Sequence, residues 1–117
     1  MASRFELVLD HSGRFHFQLR EAGGGVLLRS LACDSRIMAQ HGVLHARGAL
    51  RDDSQVVPHR SMKGGCFVVV KDTDGSVLAR STRVAHANDL QSLLARIRTA
   101  SQGAPVVDLT KRAHATH

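Results

Sequence analysis

The stretch Gly13-Arg-Phe-His-Phe-Gln-Leu19 sets Phe15, Phe17 and Leu19 in alternation with polar residues, the period of a strand with one face on a core. Moved along by 51 positions, it falls on Gly64-Gly-Cys-Phe-Val-Val-Val70, where Cys66, Val68 and Val70 keep the apolar parity. The correspondence runs on in both directions. Gly24 meets Gly75, Val26-Leu27 meets Val77-Leu78, Arg29-Ser30 meets Arg80-Ser81, Gln40 meets Gln91 and Arg47 meets Arg98. Self-similarity at one spacing marks a repeated structural unit. Residues 1–110 are therefore expected to form a single domain of two copies, one at about 4–58 and the other at about 59–109, followed by a flexible basic tail over 110–117.

Each copy reads strand, strand, strand, helix, strand. Between the second and third strands lie Glu21-Ala-Gly-Gly-Gly25 and Asp72-Thr-Asp-Gly75, turn sequences in which Gly supplies positive φ. In the second copy Leu90, Leu93, Leu94 and Ile97 recur at i, i+3, i+4, i+7, an amphipathic helical stripe. The equivalent stripe in the first copy is Ala39, Gly42, Val43 and Ala46, weak by propensity and dependent on packing. Gln55-Val-Val57 and Pro105-Val-Val-Asp-Leu109 close the two copies as short β-like segments.

These residues resemble the YegP-like family, small bacterial proteins built from tandem copies of a β3-α-β unit and classed as a domain of unknown function. The resemblance runs from about Phe5 to Leu109. It rests on Phe5-Glu-Leu7 with Gly13 to Leu19, the Gly24 to Ser30 hairpin, Ala39-Gln-His-Gly-Val43 and their echoes in the second copy. It implies an α+β fold: one antiparallel sheet shared by both repeats, two helices packed on one face, and C-terminal strands exchanged between repeats. It implies no catalytic residue.

With 117 residues, 43% of them hydrophobic, the chain can build one core without staples. The N-terminus Met1-Ala-Ser-Arg-Phe-Glu-Leu-Val-Leu-Asp10 alternates and lacks a secretory apolar run, and no stretch is long enough to span a bilayer. Cys33 and Cys66 have no CxxC spacing. Both are expected to be reduced, and the protein cytoplasmic.

Chemistry-bearing motifs are sparse. His41 and His45 have the i, i+4 spacing of a metal-gripping pair, yet each lies about 160° from the buried Val43 direction and no acidic or cysteine ligand is near in sequence. No metal and no cofactor is expected. Cys33 precedes the first helix, where a thiolate can be stabilised, but no adjacent His or basic group completes an activation site. Asp52, Asp53, Asp72 and Asp74 sit in turns and loops that explain them without acid/base work. No P-loop, GxGxxG, nucleophile elbow or HExxH occurs, so nothing points to an enzyme.

Charge is the remaining signal. Residues 1–58 carry seven basic and six acidic residues, net +1, whereas residues 59–117 carry nine basic and four acidic, net +5. Strand parity sends His16, Gln18 and Arg20, with Phe67, Val69 and Lys71, to the face away from the helices; Arg29 and Arg80 are expected to join them. The leading expectation is a non-enzymatic binding module for an acidic partner, nucleic acid or protein, engaged through Arg80, Lys71, Arg96, Arg98, Arg20 and Arg29. The lack of Trp and Tyr leaves little for base stacking. Thirteen of the sixteen basic residues are Arg, so genomic base composition is a competing source of the charge. The second functional reading is self-association, a homodimer seam over Phe67, Val69 and His16 together with Leu27 and Leu78.

Overall fold

The computed structural model describes residues 2–110. The fold is α+β, with one seven-stranded sheet and two helices. The strands are β1 (Arg4–Leu9), β2 (Phe15–Arg20), β3 (Val26–Ser30), β4 (Val56–Arg60), β5 (Cys66–Lys71), β6 (Val77–Ser81) and β7 (Val106–Asp108). They lie in the order β4-β5-β6-β3-β2-β1-β7. The helices are α1 (Arg36–Ala49), started by Ser35 whose hydroxyl accepts from Met38 N–H, and α2 (Leu90–Ser101).

The sheet is mixed, which corrects the expectation of an antiparallel one: β7 runs parallel to β1, with Phe5 opposite Val106 and Leu7 opposite Asp108. The reason is the crossover. The α2 connection delivers the chain to the β1 edge at the end where β1 begins, and a connection of that length permits parallel pairing. Phe5 N–H donates to Pro105 O at 2.9 Å, and the Ser3 hydroxyl donates to Ala100 O at 2.7 Å. At the opposite edge, Gln55 belongs to a 3-10 turn (Asp53–Gln55), and β4 runs straight on into its hairpin with β5. The boundary expected between residues 58 and 59 therefore falls inside a strand.

Registers recur at the 51-residue spacing. Phe5 pairs with Leu19 as Val56 pairs with Val70, and Gln18 pairs with Arg29 as Val69 pairs with Arg80. Both β2–β3 and β5–β6 slip at the same place, between Leu19 and Arg20 and between Val70 and Lys71. At the far end of each ladder a serine hydroxyl ties the strands together. Ser30 accepts from Phe17 N–H and donates to Leu31 O; Ser81 accepts from Val68 N–H and donates to Thr82 O. The turns expected at 21–25 and 72–75 close alike, by Glu21 N–H to Gly25 O and Asp72 N–H to Ser76 O, with Gly24 and Gly75 at φ 101° and 86°.

Phe5, Leu7, Phe17, Leu19, Leu28, Val68, Val70 and Ala79 meet Ala39, Val43, Ala46, Leu93, Ile97 and Ala100 in one buried cluster, so both helices cover the same face. Phe5 and Phe17 meet edge to face at 6.2 Å between ring centroids. Gly42 fits this packing: a Cβ there would lie 2.7 Å from Phe17 Cε2, inside contact distance, so the ring would have to shift. Leu27 and Leu78, expected on the outer face, pack with the core instead. The slips at Arg20 and Lys71 insert one extra residue in β3 and β6, and the extra residues turn inward. Of the expected tail, Thr110 is buried and its backbone N–H donates to Asp108; residues 111–117 lie outside the described residues. No helix among the described residues is long and apolar enough to cross a membrane.

Candidate anion-binding face

The face of the sheet away from the helices carries one continuous row of paired residues: Glu6, Gln18, Arg29, Arg80, Val69 and Val57. Side chains opposite one another in such a row project to the same side. At its centre Arg29 stands directly across the β3–β6 seam from Arg80, the residue 51 positions on. Both are exposed, and neither has an ion pair among the described residues. Like charges opposed across strands repel.

On the β1–β2 side of that seam, charge is neutralised. The Glu6 carboxylate, only 2% exposed, accepts from Arg4 Nε at 2.7 Å, Arg20 Nε at 3.0 Å and Gln18 Nε2 at 2.8 Å. Burial alone would push its carboxyl up; the three donors outweigh burial and hold it below the usual range. His16 lies between Asp10, 2.8 Å from Nε2, and Ser30 O, 3.1 Å from Nδ1. Asp10 is held low by the Ser12 hydroxyl first, then by Arg14 N–H and His16. Arg14 pairs with Asp34 at 3.1 Å.

On the β4–β5 side those three acids have no counterpart. The positions 51 residues beyond Glu6, Asp10 and Asp34 are Val57, Ser61 and Ala85. Arg60, Lys63, Lys71, Arg80 and Arg83 accordingly have no carboxylate partner among the described residues. Four of them, with Ser61, Met62, Phe67 and Ser81, line an open cleft of about 450 Å³ that contains no acidic residue. The Arg83 guanidinium donates to the Ser61 hydroxyl at 3.3 Å. Phe67 pairs across β4–β5 with His59, their rings stacked at 5.6 Å and 18°.

The structure thus brings together Arg29, Arg80 and Phe67, with Lys71 on the same face four residues along β5 from Phe67. Arg20 shares the face but is held by Glu6, and Val69 is shielded within the monomer. Arg96 and Arg98 lie elsewhere, on α2 across the sheet. Arg96 makes a bidentate pair with Glu21 at 2.6 and 3.0 Å, and Arg98 donates to Leu50 O at 2.7 Å and Asp53 at 2.6 Å. Sequence reasoning passed over Arg60, Lys63 and Arg83. Comparing acids as well as bases at the 51-residue spacing marks them, because the losses at 57, 61 and 85 leave this side uncompensated.

The other candidates fall outside this face. His45 Nδ1 lies 2.9 Å from Asp72, while His41 is exposed. Among the described residues no three His, Cys, Asp or Glu side chains come together as a metal site. Burial pushes the Cys33 thiol up, the opposite of an activated thiolate.

Several carboxylates sit below their ordinary range, among them Glu21 through Arg96 and Asp72 through His45. Because folded-state values lie below unfolded ones, their stabilisation is complete above the unfolded value near pH ~4 and is lost as pH falls through the folded values. Tm is expected to change little from about pH 7 to about 5 and to drop below about pH 4. A Tm that rises on acidification contradicts this.

No protein-family model matches the chain. Over 108 residues it is 26% identical to a UPF0339 protein of Pseudomonas aeruginosa, covering 92% of this chain and 98% of the relative. Two solution NMR structures have the same fold. One is a UPF0339 protein of Shewanella oneidensis, with a TM-score of 0.87 at 16% identity over 100% of this chain and 99% of that one. The other is YegP of E. coli, described as a protein of unknown function, with a TM-score of 0.86 at 22% identity over 94% and 95% of the two chains. Sequence and fold are similar to those of UPF0339 and YegP proteins.

Proposed function

We propose that this YegP-like protein is a non-enzymatic binding module for an anionic partner, which it holds on the outer sheet face about Arg29 and Arg80. In this reading the chain is two tandem copies of one unit. β4 both closes the first copy and opens the second, and β7 returns to the first copy's sheet edge. The observation that carries the functional reading is the exposed Arg29–Arg80 pair, two like charges opposed at the seam with no acid beside them among the described residues. An anion seated between them relieves the repulsion and gains two charge-assisted forks at once.

The test is binding of heparin, a simple polyanion, to the full chain as salt is varied. Affinity should fall linearly with log salt. Arg29→Glu with Arg80→Glu should weaken it about tenfold or more, while Arg96→Ala, whose partner is already Glu21, should leave it unchanged. Salt-independent binding, or an indifferent double variant, defeats the reading.

Self-association remains a second reading, with a different surface. Ile37, Met38 and Leu44 of α1 are 62%, 51% and 64% exposed, whereas Leu27 and Val69 of the sheet are buried in the monomer. If the chain dimerises, Leu44→Glu should return it to monomer mass in sedimentation at high concentration. A dimer that survives the substitution rules out this helix as the seam.

A further inference from the structure

The chain has four phenylalanines and neither Trp nor Tyr. Phe5 and Phe17 are buried in the core and Phe15 packs against it. Phe67 alone is on the outer face, where it lines the acid-free cleft with Arg60, Lys63, Arg80 and Arg83. Its ring stacks against that of its cross-strand partner His59, beside the four cations.

We infer that this cleft binds single-stranded nucleic acid, with a base extending the Phe67–His59 stack and the adjoining phosphates on the surrounding cations; the inference rests on the anion-binding reading above. Charge by itself suits any polyanion, but an acidic peptide leaves the ring pair unused. The other common peptide mode, strand addition, is obstructed here: β4 is the edge strand, and Pro58 in its middle has no N–H to offer. A nucleic acid strand supplies a flat apolar surface and a backbone charge at each step, which is the pairing of chemistries the cleft displays. Base pairing removes that surface from reach, so a duplex fits less well.

Because the chain has no Trp, Phe67→Trp creates a single fluorescent reporter at the site. Titration of the full-length variant with oligothymidylate and oligouridylate of about 12 nucleotides should quench it and should weaken with salt. In the natural background, Phe67→Leu should cost about tenfold in affinity with the salt slope unchanged, and Phe67→Tyr, which keeps a ring, should bind normally. Arg60→Ala should lower the slope by about 0.7. Polyglutamate of equal charge and a duplex of equal length should bind more weakly and leave the reporter unquenched. If polyglutamate or the duplex matches the single strands, or Phe67→Leu binds as well as the natural chain, the nucleic-acid inference is overturned while the anion reading stands. If no polyanion binds at all, heparin included, both fail.

Discussion

Arg47→Ala is expected to lower the unfolding free energy by about 2–4 kcal/mol, although Arg47 touches no acid. Its guanidinium donates to Ser101 O at 3.1 Å and to Ala104 O, and lies 4.9 Å over the Phe5 ring. Ser101 ends α2, where backbone carbonyls have no partner within the helix. A cation there satisfies them and opposes the negative end of the helix dipole. Hydrogen bonds from a charged donor contribute roughly 1.5–3 kcal/mol each, and a partly desolvated cation over a ring about 1 more. Water reaches part of the site once the side chain is gone, which keeps the loss below the sum. Arg98, the equivalent residue at the 51-residue spacing, donates to Leu50 O at the end of α1, so each arginine caps the other's helix. Urea unfolding at constant m-value is the measurement. A change under about 0.5 kcal/mol, the size of an ordinary surface substitution, would show that the carbonyls are served as well by solvent. Arg47→Lys should recover only a minority of the loss, since an ammonium has no fork.

Glu6→Val is expected to move stability and binding in opposite directions. The substitution installs the residue found at position 57. Removing one partner from a buried ion pair costs roughly 3–5 kcal/mol. Here Arg4 and Arg20 are 23% and 29% exposed and regain water, so a loss of about 2–3 kcal/mol is expected, part of it from the orphaned Gln18 amide. The same change frees two guanidinium groups on the outer face. Heparin affinity should rise severalfold and its salt dependence should steepen by one to two contacts, by the logic of counterion release. Glu6→Gln keeps most acceptors and separates the two effects. It should retain more of the stability while still releasing charge. If Glu6→Val binds heparin no better than the natural chain, the neutralised side of the face takes no part in binding.

These arginines show where reading residues in line succeeds and where it stops. Arg47 and Arg98 recur at one spacing, yet recurrence cannot tell a cap from a contact: their carbonyl partners lie 54 and 48 residues away in sequence. Arg98, expected among the ligand contacts, caps α1 and pairs with Asp53. Arg29 and Arg80 recur in the same way, and they meet only because β3 pairs with β6 so that each faces its own counterpart. Ser30 and Ser81, beside them, recur because each hydroxyl accepts from the backbone of the neighbouring strand. Leu27 and Leu78 were misplaced because of the slips at Arg20 and Lys71. A two-residue period assumes an unbroken ladder, and one inserted residue reverses the face of what it displaces.

Periodicity and turn chemistry alone established the strands, the two helical stripes and the hairpin glycines, because each depends on neighbours within a few residues; the α+β class was implied by the resemblance. Charge by halves was likewise open to counting. Packing alone decided that the sheet is mixed, that Arg96 and Arg98 are occupied across the sheet, and that Arg60, Lys63, Arg80 and Arg83 surround the one phenylalanine outside the core. The physical reason is range. Backbone propensity and amphipathic period act along the chain, whereas the field at a surface is summed over charges that folding brings together from distant positions, and acids missing at 57, 61 and 85 matter only once their neighbours in space are known.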